Sequence, residues 1–268
     1  MLTVQSQRWR DRRGVYVLPG PPIDPSDFSV DVVAERIARP FVEQHHYSGS
    51  YPAGRLAVGL FRRLELVGIA VFSEGIQRAA LPKWAGLPAD AGCELGRLVL
   101  LDDVPCNGET WFVARAFRAL RREKPILEAV LSYADPVERL DAAGCLVKAG
   151  HVGTVYQSLN AAYRGRASKR TEFVTPSGEH VSRRALSKIR LDESGAGYAQ
   201  ARLLQLGAPA RERFESGRCW LRRLEQEGFL RTWRHPGNHT YVFPLTRRAR
   251  QQSAMLASLP YPKMRAAA

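Results

Sequence analysis

The sequence predicts an α/β (α+β) protein, in which a mixed central sheet is flanked by helices and followed by a basic C-terminal α+β appendage. Apolar segments of strand length recur between residues 55 and 133 and a capped helix stands among them, which is typical of such a sheet. The chain has 268 residues and is 45% hydrophobic, so it can bury a sizeable core. Its basic excess is confined to the C-terminal part, which sets that part off from the rest.

The first elements are assigned from residue spacing and from turn residues. Residues 1–30 carry four arginines and several prolines, and they predict an irregular lead-in. Residues 31–42 place apolar side chains at helical spacing and predict a helix, although Pro40 interrupts its end. Two apolar segments joined by a tight turn predict a pair of strands, and a Pro- and Gly-rich loop follows them, at residues 55–62, 65–73 and 74–92.

The central elements alternate between strands and helices. Residues 94–101 predict a strand, and residues 107–110 offer an N-cap for a helix that runs to about residue 122. Residues 126–133 predict a second buried strand, and residues 137–143 predict a short helix after it.

The composition changes after about residue 166. A short strand, two helices and a hairpin around Pro236-Gly237-Asn238 are predicted there, at residues 171–174, 198–206, 218–227 and 229–243. Helices followed by a basic hairpin resemble a winged helix, in which a helix and a wing grip nucleic acid. The sequence thus predicts a lead-in, a core domain and a basic nucleic-acid-binding region, at residues 1–30, 31–175 and 176–268.

The charge of the chain is unevenly distributed. Residues 1–150 carry 19 Lys/Arg against 18 Asp/Glu, whereas residues 151–268 carry 21 against 8, so +13 of the net charge of +14 is C-terminal. A one-sided basic excess is the electrostatic footprint of a polyanion partner, and arginine suits phosphate contacts. The alternative is a solvated basic face that only aids solubility.

Cysteine usage and hydropathy indicate the compartment. The four cysteines stand far apart and form no CxxC pair, so neither a zinc ribbon nor a disulfide framework is expected. Residues 1–17 are polar and rich in arginine, unlike a secretory leader, and no apolar run approaches the roughly 18 residues of a membrane span. We expect a protein of the cytoplasm, without a membrane segment; its oligomeric state stays open.

Polar side chains cluster where the strand 126–133 ends. Ser132, Tyr133 and Asp135 stand at its exit, and the stretch Gly150-His151-Val152-Gly153-Thr154-Val155-Tyr156-Gln157 follows soon after. Strand exits are where α/β sheets place their chemistry. The sequence therefore predicts a site at this end of the strand.

The order of elements resembles the acyltransferase fold of the GNAT N-acetyltransferases. In that family the acyl donor lies between two splayed strands and its phosphates rest on a helix N-terminus, where unpaired N–H groups favour negative charge. The matching place here is Asn107-Gly108-Glu109-Thr110. The family's Gly-rich RxxGxG/A loop for coenzyme A is absent, and two carboxylates, Asp102 and Asp103, stand there instead.

A narrower set of motifs resembles the phage DNA-modification family called Mom, over roughly residues 40–165. The motifs are His46-Tyr47-Ser48-Gly49, Glu94-Leu95-Gly96-Arg97, Asn107-Gly108-Glu109-Thr110, Ser132-Tyr133-Ala134-Asp135 and residues 150–160. The resemblance implies an N-acetyltransferase-like catalytic domain that converts adenine in phage DNA to an N6-carbamoylmethyl form and shields the DNA from restriction enzymes. It implies an acyl donor and double-stranded DNA as substrate. Whether the donor is an acyl-coenzyme A or a glycyl-type aminoacyl-tRNA stays open; the missing coenzyme A loop and the basic C-terminal excess make the tRNA a competitor, and tRNA would then be a further partner.

The resemblance and the chemistry together suggest roles for ten side chains. An adenine amine is a poor nucleophile, so a base and an electrostatic clamp on the developing charge are expected. The base is His46, oriented by Asp135, or Asp135 itself, and Tyr156 returns a proton to the leaving group. Ser132 and Tyr47 donate hydrogen bonds to the oxyanion or to the target adenine. The residues expected to bind donor or substrate are Arg97, Asn107, Glu109, His151 and Asn160.

Each assignment has a structural alternative. His46 could be an ordinary loop histidine, and Tyr156 could be a core tyrosine. Asp135, which precedes Pro136, and Asn107, which precedes a predicted helix, could be helix caps. No spacing such as HExxH suggests a metal site, and none is expected. Two rival functions also stay open: an N-acyltransferase of a protein or small amine, and a non-enzymatic nucleic-acid-binding regulator.

Overall fold

The computed structural model describes residues 6–18, 20–75, 77–140 and 143–263. The chain forms two compact units. The first consists of Met1–Glu138, Val147–Ala167 and Asn238–Ala268, and the second of Arg139–Leu146 and Ser168–Gly237. The chain thus leaves the first unit for the second and returns to it twice.

The first unit contains most of the strands and helices of the N-terminal two thirds of the chain. In chain order they are β1 (Ser6–Arg10), β2 (Arg13–Val17), β3 (Phe28–Val33), α1 (Glu35–His45), β4 (Gly54–Arg62), β5 (Glu65–Ser73), α2 (Ala80–Ala85), β6 (Gly92–Leu100), α3 (Gly108–Glu123) and β7 (Ala129–Ala134). Two short strands come next along the chain, β8 (Arg139–Leu140) and β9 (Leu146–Lys148), and α4 (Thr154–Ser158) and β10 (Ala162–Arg166) follow.

The second unit is a small α+β fold, after which the chain completes the first. Its elements are β11 (Arg170–Val174), β12 (His180–Val181), α5 (Arg183–Leu191), α6 (Ala196–Gln205), α7 (Gly217–Gln226) and β13 (Arg231–His235). The sheet order is β12-β11-β13, and the three helices bury a core around Trp220. The first unit then receives β14 (His239–Pro244) and α8 (Arg247–Ala254).

Seven strands of the first unit form one mixed sheet in the order β10-β14-β7-β6-β5-β4-β3. Every neighbouring pair is antiparallel except β6 and β7, which are parallel. Helices cover both faces: Phe112 of α3 packs in one cluster with Val130 of β7, whereas Leu131 packs with α2 and α8 on the other face. Successive strand residues point to opposite faces, which produces this layering. The predicted mixed sheet flanked by helices is confirmed.

The parallel pair is short, and its two strands then separate. Only three residues of β6 pair with β7, and the last pair joins Glu94 to Leu131. Just beyond, the pairing of β6 with β5 shifts register around Gly96, and such an irregularity bends a strand. A gap therefore opens between the C-terminal halves of β6 and β7.

The N-terminal part is more regular than predicted. The stretch 1–30 was expected to be irregular, but β1 and β2 form an antiparallel hairpin and β3 begins at residue 28; residues 1–5 and 19 lie outside the described ranges. The helix expected over 31–42 begins only at Glu35, because the valines of residues 30–33 pair with β4. Pro40 lies inside this helix.

Three further expectations differ from the structure. The short helix predicted over 137–143 is absent from its described part, where Arg139–Leu140 is a strand, and residues 141–142 lie outside the description. The strand predicted from 126 begins at Ala129. The segments 231–235 and 239–244 do not form a hairpin, because β13 pairs with β11 whereas β14 pairs with β7 and β10.

The burial of these two segments explains why they separate. Five of the six residues of β14 are buried, as a central strand requires, whereas Arg231, Thr232 and Arg234 of β13 are exposed. The division of the chain consequently differs from the expected boundary at residue 175, since residues 238–263 belong with the first unit. No described helix is long and apolar enough to cross a membrane.

Two leucines at one end of the β4–β5 hairpin provide a test of the core. Leu60 is fully buried, and Leu64, in the turn, is 97% exposed. We expect Leu60→Ala to lower the free energy of unfolding of the first unit by about 2–5 kcal/mol, because it removes core contacts and leaves a cavity. Leu64→Ala should change it by less than about 0.5 kcal/mol. Urea titration of both variants checks this, and equal effects would contradict the assigned burial.

A candidate site where two parallel strands diverge

The first predicted site residue beyond the last β6–β7 pair is Ser132. Its side chain is fully buried, and its hydroxyl has no hydrogen-bond partner among the described residues. An unsatisfied buried hydroxyl costs free energy, and native proteins keep few of them. A ligand atom in the gap would supply the missing partner.

His46 and Tyr47 lie where α1 ends. The His46 backbone N–H still donates to Val42 O, and then the chain leaves the helix. The His46 Nδ1 atom is 2.8 Å from Ser48 Oγ, which fixes the ring, and the centroids of the His46 and Tyr47 rings are 4.2 Å apart. The indole of Trp9 packs on both rings. His46 is thus held in an aromatic setting rather than in a free loop.

Tyr47 is the side chain around which the predicted residues gather. Burial lowers the pKa of Arg97 and raises the pKa of Tyr156. The Tyr47 phenol has the next largest effect on both groups, and it raises both pKa values. The Nζ atom of Lys148 lies 5.7 Å from the Tyr47 ring centroid. The structure therefore brings together side chains from β6, β9, α4 and the end of α1.

Lys148 is a residue that the sequence analysis missed. It is fully buried, its Nζ atom lies 3.4 Å from Asp135 Oδ2, and it donates to the carbonyls of Asp135 and Val137 at 3.3 and 2.6 Å. A buried ammonium needs such partners, since an unpaired one would be strongly destabilising. The only sequence signal was a single lysine at the end of an apolar stretch, Cys145-Leu-Val-Lys-Ala.

Asp135 serves both a local turn and this cluster. Its Oδ1 atom accepts from Val137 N at 3.0 Å in a local turn, while Oδ2 faces Lys148. The helix-cap interpretation of Asp135 is wrong, because a strand and not a helix follows it. Its carbonyl accepts from His151 N at 3.0 Å. Burial, followed by the charge of Lys148, lowers the pKa of His151 to about 4, so the imidazole is neutral at physiological pH.

Tyr156 is held by a turn that requires glycine. Gly153, with φ +79°, precedes α4, and a Cβ there would lie 2.8 Å from the Tyr241 ring and 2.9 Å from the Tyr156 ring. Tyr156 packs on Tyr241 with ring centroids 5.4 Å apart, and burial raises its pKa well above the usual value. Its phenol therefore stays protonated and can donate a proton.

Arg97 ties β6 to the segment after α1. Its Nε and Nη2 atoms donate to Ser50 O and Ser50 Oγ, both at 3.0 Å, and its Nη1 atom donates to Gly96 O at 2.6 Å. These bonds hold the loop that follows Tyr47 against the bent part of β6. Arg97 thus shapes the gap as well as bringing positive charge to it.

The N-terminus of α3 does not fit the phosphates of coenzyme A. The buried guanidinium of Arg8 occupies it, donating to the carbonyls of Val104 and Pro105 and forming an ion pair with Glu109. Asn107 is the N-cap residue of α3, as predicted, but with φ 62° it makes no side-chain cap bond. A pyrophosphate would have to displace Arg8 and face the carboxylate of Glu109.

Asn160 lies apart from the cluster in its described contacts. It is exposed, adopts φ 56° in the turn after α4, and its N–H donates to Gln157 O at 3.0 Å. Of the ten predicted residues, the structure thus places Asn107 and Glu109 at α3, Asn160 in a turn, and the others around the gap. Among the described residues no three His, Cys, Asp or Glu side chains are placed to hold a metal ion.

Comparison with known proteins adds three findings. The Mom protein family is matched over residues 27–263. The methylcarbamoylase mom of Escherichia phage Mu is 25% identical over 177 residues, which cover 65% of this chain and 68% of that protein. A tandem GNAT protein from the clavulanic acid biosynthesis pathway, solved without AcCoA, has a TM-score of 0.39 and 9% identity over 82% of this chain and 99% of that one, a likeness too slight to carry an argument.

The neutral state of His151 predicts a dependence of stability on pH. Its pKa is lower in the folded chain than the ordinary value of 6.5, so the unfolded chain binds the extra proton first as the pH falls. The contribution to stability is complete above pH 6.5, and about 2–3 kcal/mol is lost between pH 6.5 and 4. Urea unfolding at several pH values should show a flatter profile for His151→Gln. A variant profile with the wild-type slope would contradict the assignment.

Proposed function

Because the chain belongs to the Mom protein family, we propose that it is a transferase that converts adenine in DNA to an N6-carbamoylmethyl-type adenine and so protects phage DNA from host restriction. The observation that supports this most directly is the gathering of His46, Tyr47, Asp135, Lys148 and Tyr156 beside the diverging strands. The similar phage Mu protein bears the name methylcarbamoylase.

The reaction needs a base and an acid, and the cluster offers both. The exocyclic amine of adenine shares its lone pair with the ring, so it must lose a proton as it forms the new bond. His46 is the proposed base for that proton, and the protonated phenol of Tyr156 is the proposed acid that gives one to the leaving group. Lys148 keeps Asp135 in place and adds a fixed positive charge near the developing negative charge.

DNA is the proposed substrate, and it has to expose a base. The amine is hydrogen-bonded in a duplex, and enzymes that act on such atoms flip the base out at a cost of a few kcal/mol. The +13 charge of residues 151–268 favours a polyanion partner, duplex DNA in the first place and a tRNA in the second. The reaction would take place in the cytoplasm of the host cell.

The donor is proposed to be an aminoacyl ester of the glycyl-tRNA type rather than an acyl-coenzyme A. Attack of the adenine N6 on the ester carbonyl forms the N6–C(O) bond, breaks the ester bond and releases the tRNA hydroxyl, which takes a proton, so the first product is N6-glycyladenine. The carbamoylmethyl form is its isomer: the glycine amine then bonds to C6 of the ring, the C6–N6 bond breaks, and the former N6 becomes the amide nitrogen. The support for this donor is the position of Arg8, which fills the helix N-terminus where the phosphates of coenzyme A would rest. Asp102 and Asp103 add negative charge nearby, although Arg10 and Arg62 pair with them. The same observation argues against a general N-acyltransferase that uses coenzyme A.

The proposed function predicts a heavier deoxyadenosine in the DNA of cells that express the protein. Mass spectrometry of digested nucleosides should detect it for the wild type, and His46→Gln, Asp135→Asn and Tyr156→Phe should lower it by about 10²- to 10⁴-fold, since each removes a proton-transfer or orienting group. DNA affinity should stay within about twofold. Tyr198→Phe, at an 83% exposed position, is the control. An unmodified adenine pool in wild-type cells would reject the function, and three fully active variants would reject the site.

The donor assignment predicts how the purified protein treats coenzyme A. We expect no saturable binding of coenzyme A or acetyl-coenzyme A in calorimetry at millimolar ligand, because the guanidinium of Arg8 and the carboxylate of Glu109 occupy the phosphate position. Incubation with glycyl-tRNA and DNA should release uncharged tRNA in step with the modified nucleoside. Micromolar binding of coenzyme A, or modification without any charged tRNA, would contradict the assignment.

A further inference from the structure

A cavity of about 270 Å³ lies in the first unit beside the diverging strands. Its lining includes Leu81 of α2, Leu131 of β7, Glu94 of β6 and the loop residues Gln77 and Arg78. Small-molecule pockets commonly measure about 300–1,000 Å³. The volume is therefore that of a site for a single heterocycle rather than for a large ligand.

Glu94 brings a carboxylate into this cavity. Its side chain is only 6% exposed, and it is the last residue of β6 that pairs with β7. A Cβ built on Gly75 would lie 3.6 Å from Glu94 Oε1, so the carboxylate faces the loop that follows β5. The carboxylate is thus a buried acceptor fixed on the wall of the cavity.

The cavity and the Ser132 side chain lie on opposite faces of β7. Leu131 lines the cavity and packs with α2 and α8, whereas its neighbour Ser132 must point to the other face because side chains alternate along a strand. The two strands separate at this very position, after Glu94 and Leu131. A ligand in the cavity would therefore reach the gap from the face opposite to Ser132.

We propose that this cavity holds the flipped adenine of the DNA and that Glu94 accepts a hydrogen bond from its exocyclic amine. This inference rests on the proposed function and adds the place and the specificity of base binding. Leu81 and Leu131 provide apolar surfaces for the faces of the ring, as flipped bases require. Arg78 is exposed on the lining, within reach of a phosphate of the flipped nucleotide.

The chemistry of the carboxylate explains why adenine would be selected. An ionised carboxylate only accepts hydrogen bonds, and the amine of adenine donates them. A purine with a carbonyl oxygen at the same ring position would place two acceptors against each other. Loss of a hydrogen bond to a buried charged group lowers affinity by about 10- to 100-fold.

The test compares two single-stranded oligonucleotides in binding to the full-length protein without donor. Both are thymine tracts, one with a central adenine and the other with hypoxanthine, its 6-oxo analogue, and single strands avoid the cost of flipping. Fluorescence anisotropy should show that the wild type prefers adenine by about 10- to 100-fold. Glu94→Gln should reduce this preference to twofold or reverse it, because an amide also donates.

Two more variants keep the test decisive. Ala89→Trp, at a partly exposed position of the lining, fills the cavity and should abolish the preference without unfolding the protein. Glu128→Gln, which replaces a carboxylate bonded to Thr246 and Arg248, should keep the wild-type preference. A wild type without preference for adenine, or Glu94→Gln and Ala89→Trp variants with the full preference, overturns the inference.

Failure of the adenine-binding inference can be distinguished from failure of the proposed function. Modified deoxyadenosine in cells together with an unchanged preference in Glu94→Gln would reject the cavity alone. Preference for adenine in binding without any modified nucleoside would reject the reaction and keep the cavity as an adenine site.

Discussion

The constraint on which the structure depends is the single parallel pair in an otherwise antiparallel sheet. Two parallel strands connected through α3 can pair for only three residues here before the bend at Gly96 carries β6 away. Backbone groups that leave a ladder need other partners or solvent, so the gap is a natural place for a ligand. The polar cluster and the cavity of Glu94 both lie at this point because it is where the sheet is open.

The charged groups around the gap are held in place rather than left to solvent. Lys148 is buried against Asp135 and two carbonyls, and Arg97 is bonded to Ser50 and to its own strand. Groups fixed in this way need little reorganisation when charge develops in a reaction. The guanidinium of Arg8 is fixed in the same way at the N-terminus of α3, where it donates to the carbonyls of Val104 and Pro105.

Much of the fold could be predicted, because β4, β5 and β6 have long apolar segments and α3 has a clear helical pattern. For the candidate site, the polar residues of the stretch 132–135 could be singled out because they follow an apolar strand. Lys148 and Glu94 could not be assigned from sequence alone, since a lone charge near an apolar run gives no sign of the long-range contacts that bury it. The false hairpin at 236–238 arose because local turn chemistry is the same whether the next strand pairs with its neighbour or with a distant one.

The return of the chain to the first unit as β14 has a consequence for folding during synthesis. Its partners β7 and β10 are complete by residue 166, yet the strand that joins them begins at residue 239. Until those residues leave the ribosome, β7 has an unpaired edge, and open edges invite pairing with other chains. A nascent chain of this protein therefore keeps that edge open to aggregation until residues 239–244 have been made, and loss of those residues would leave the first unit unable to complete its sheet.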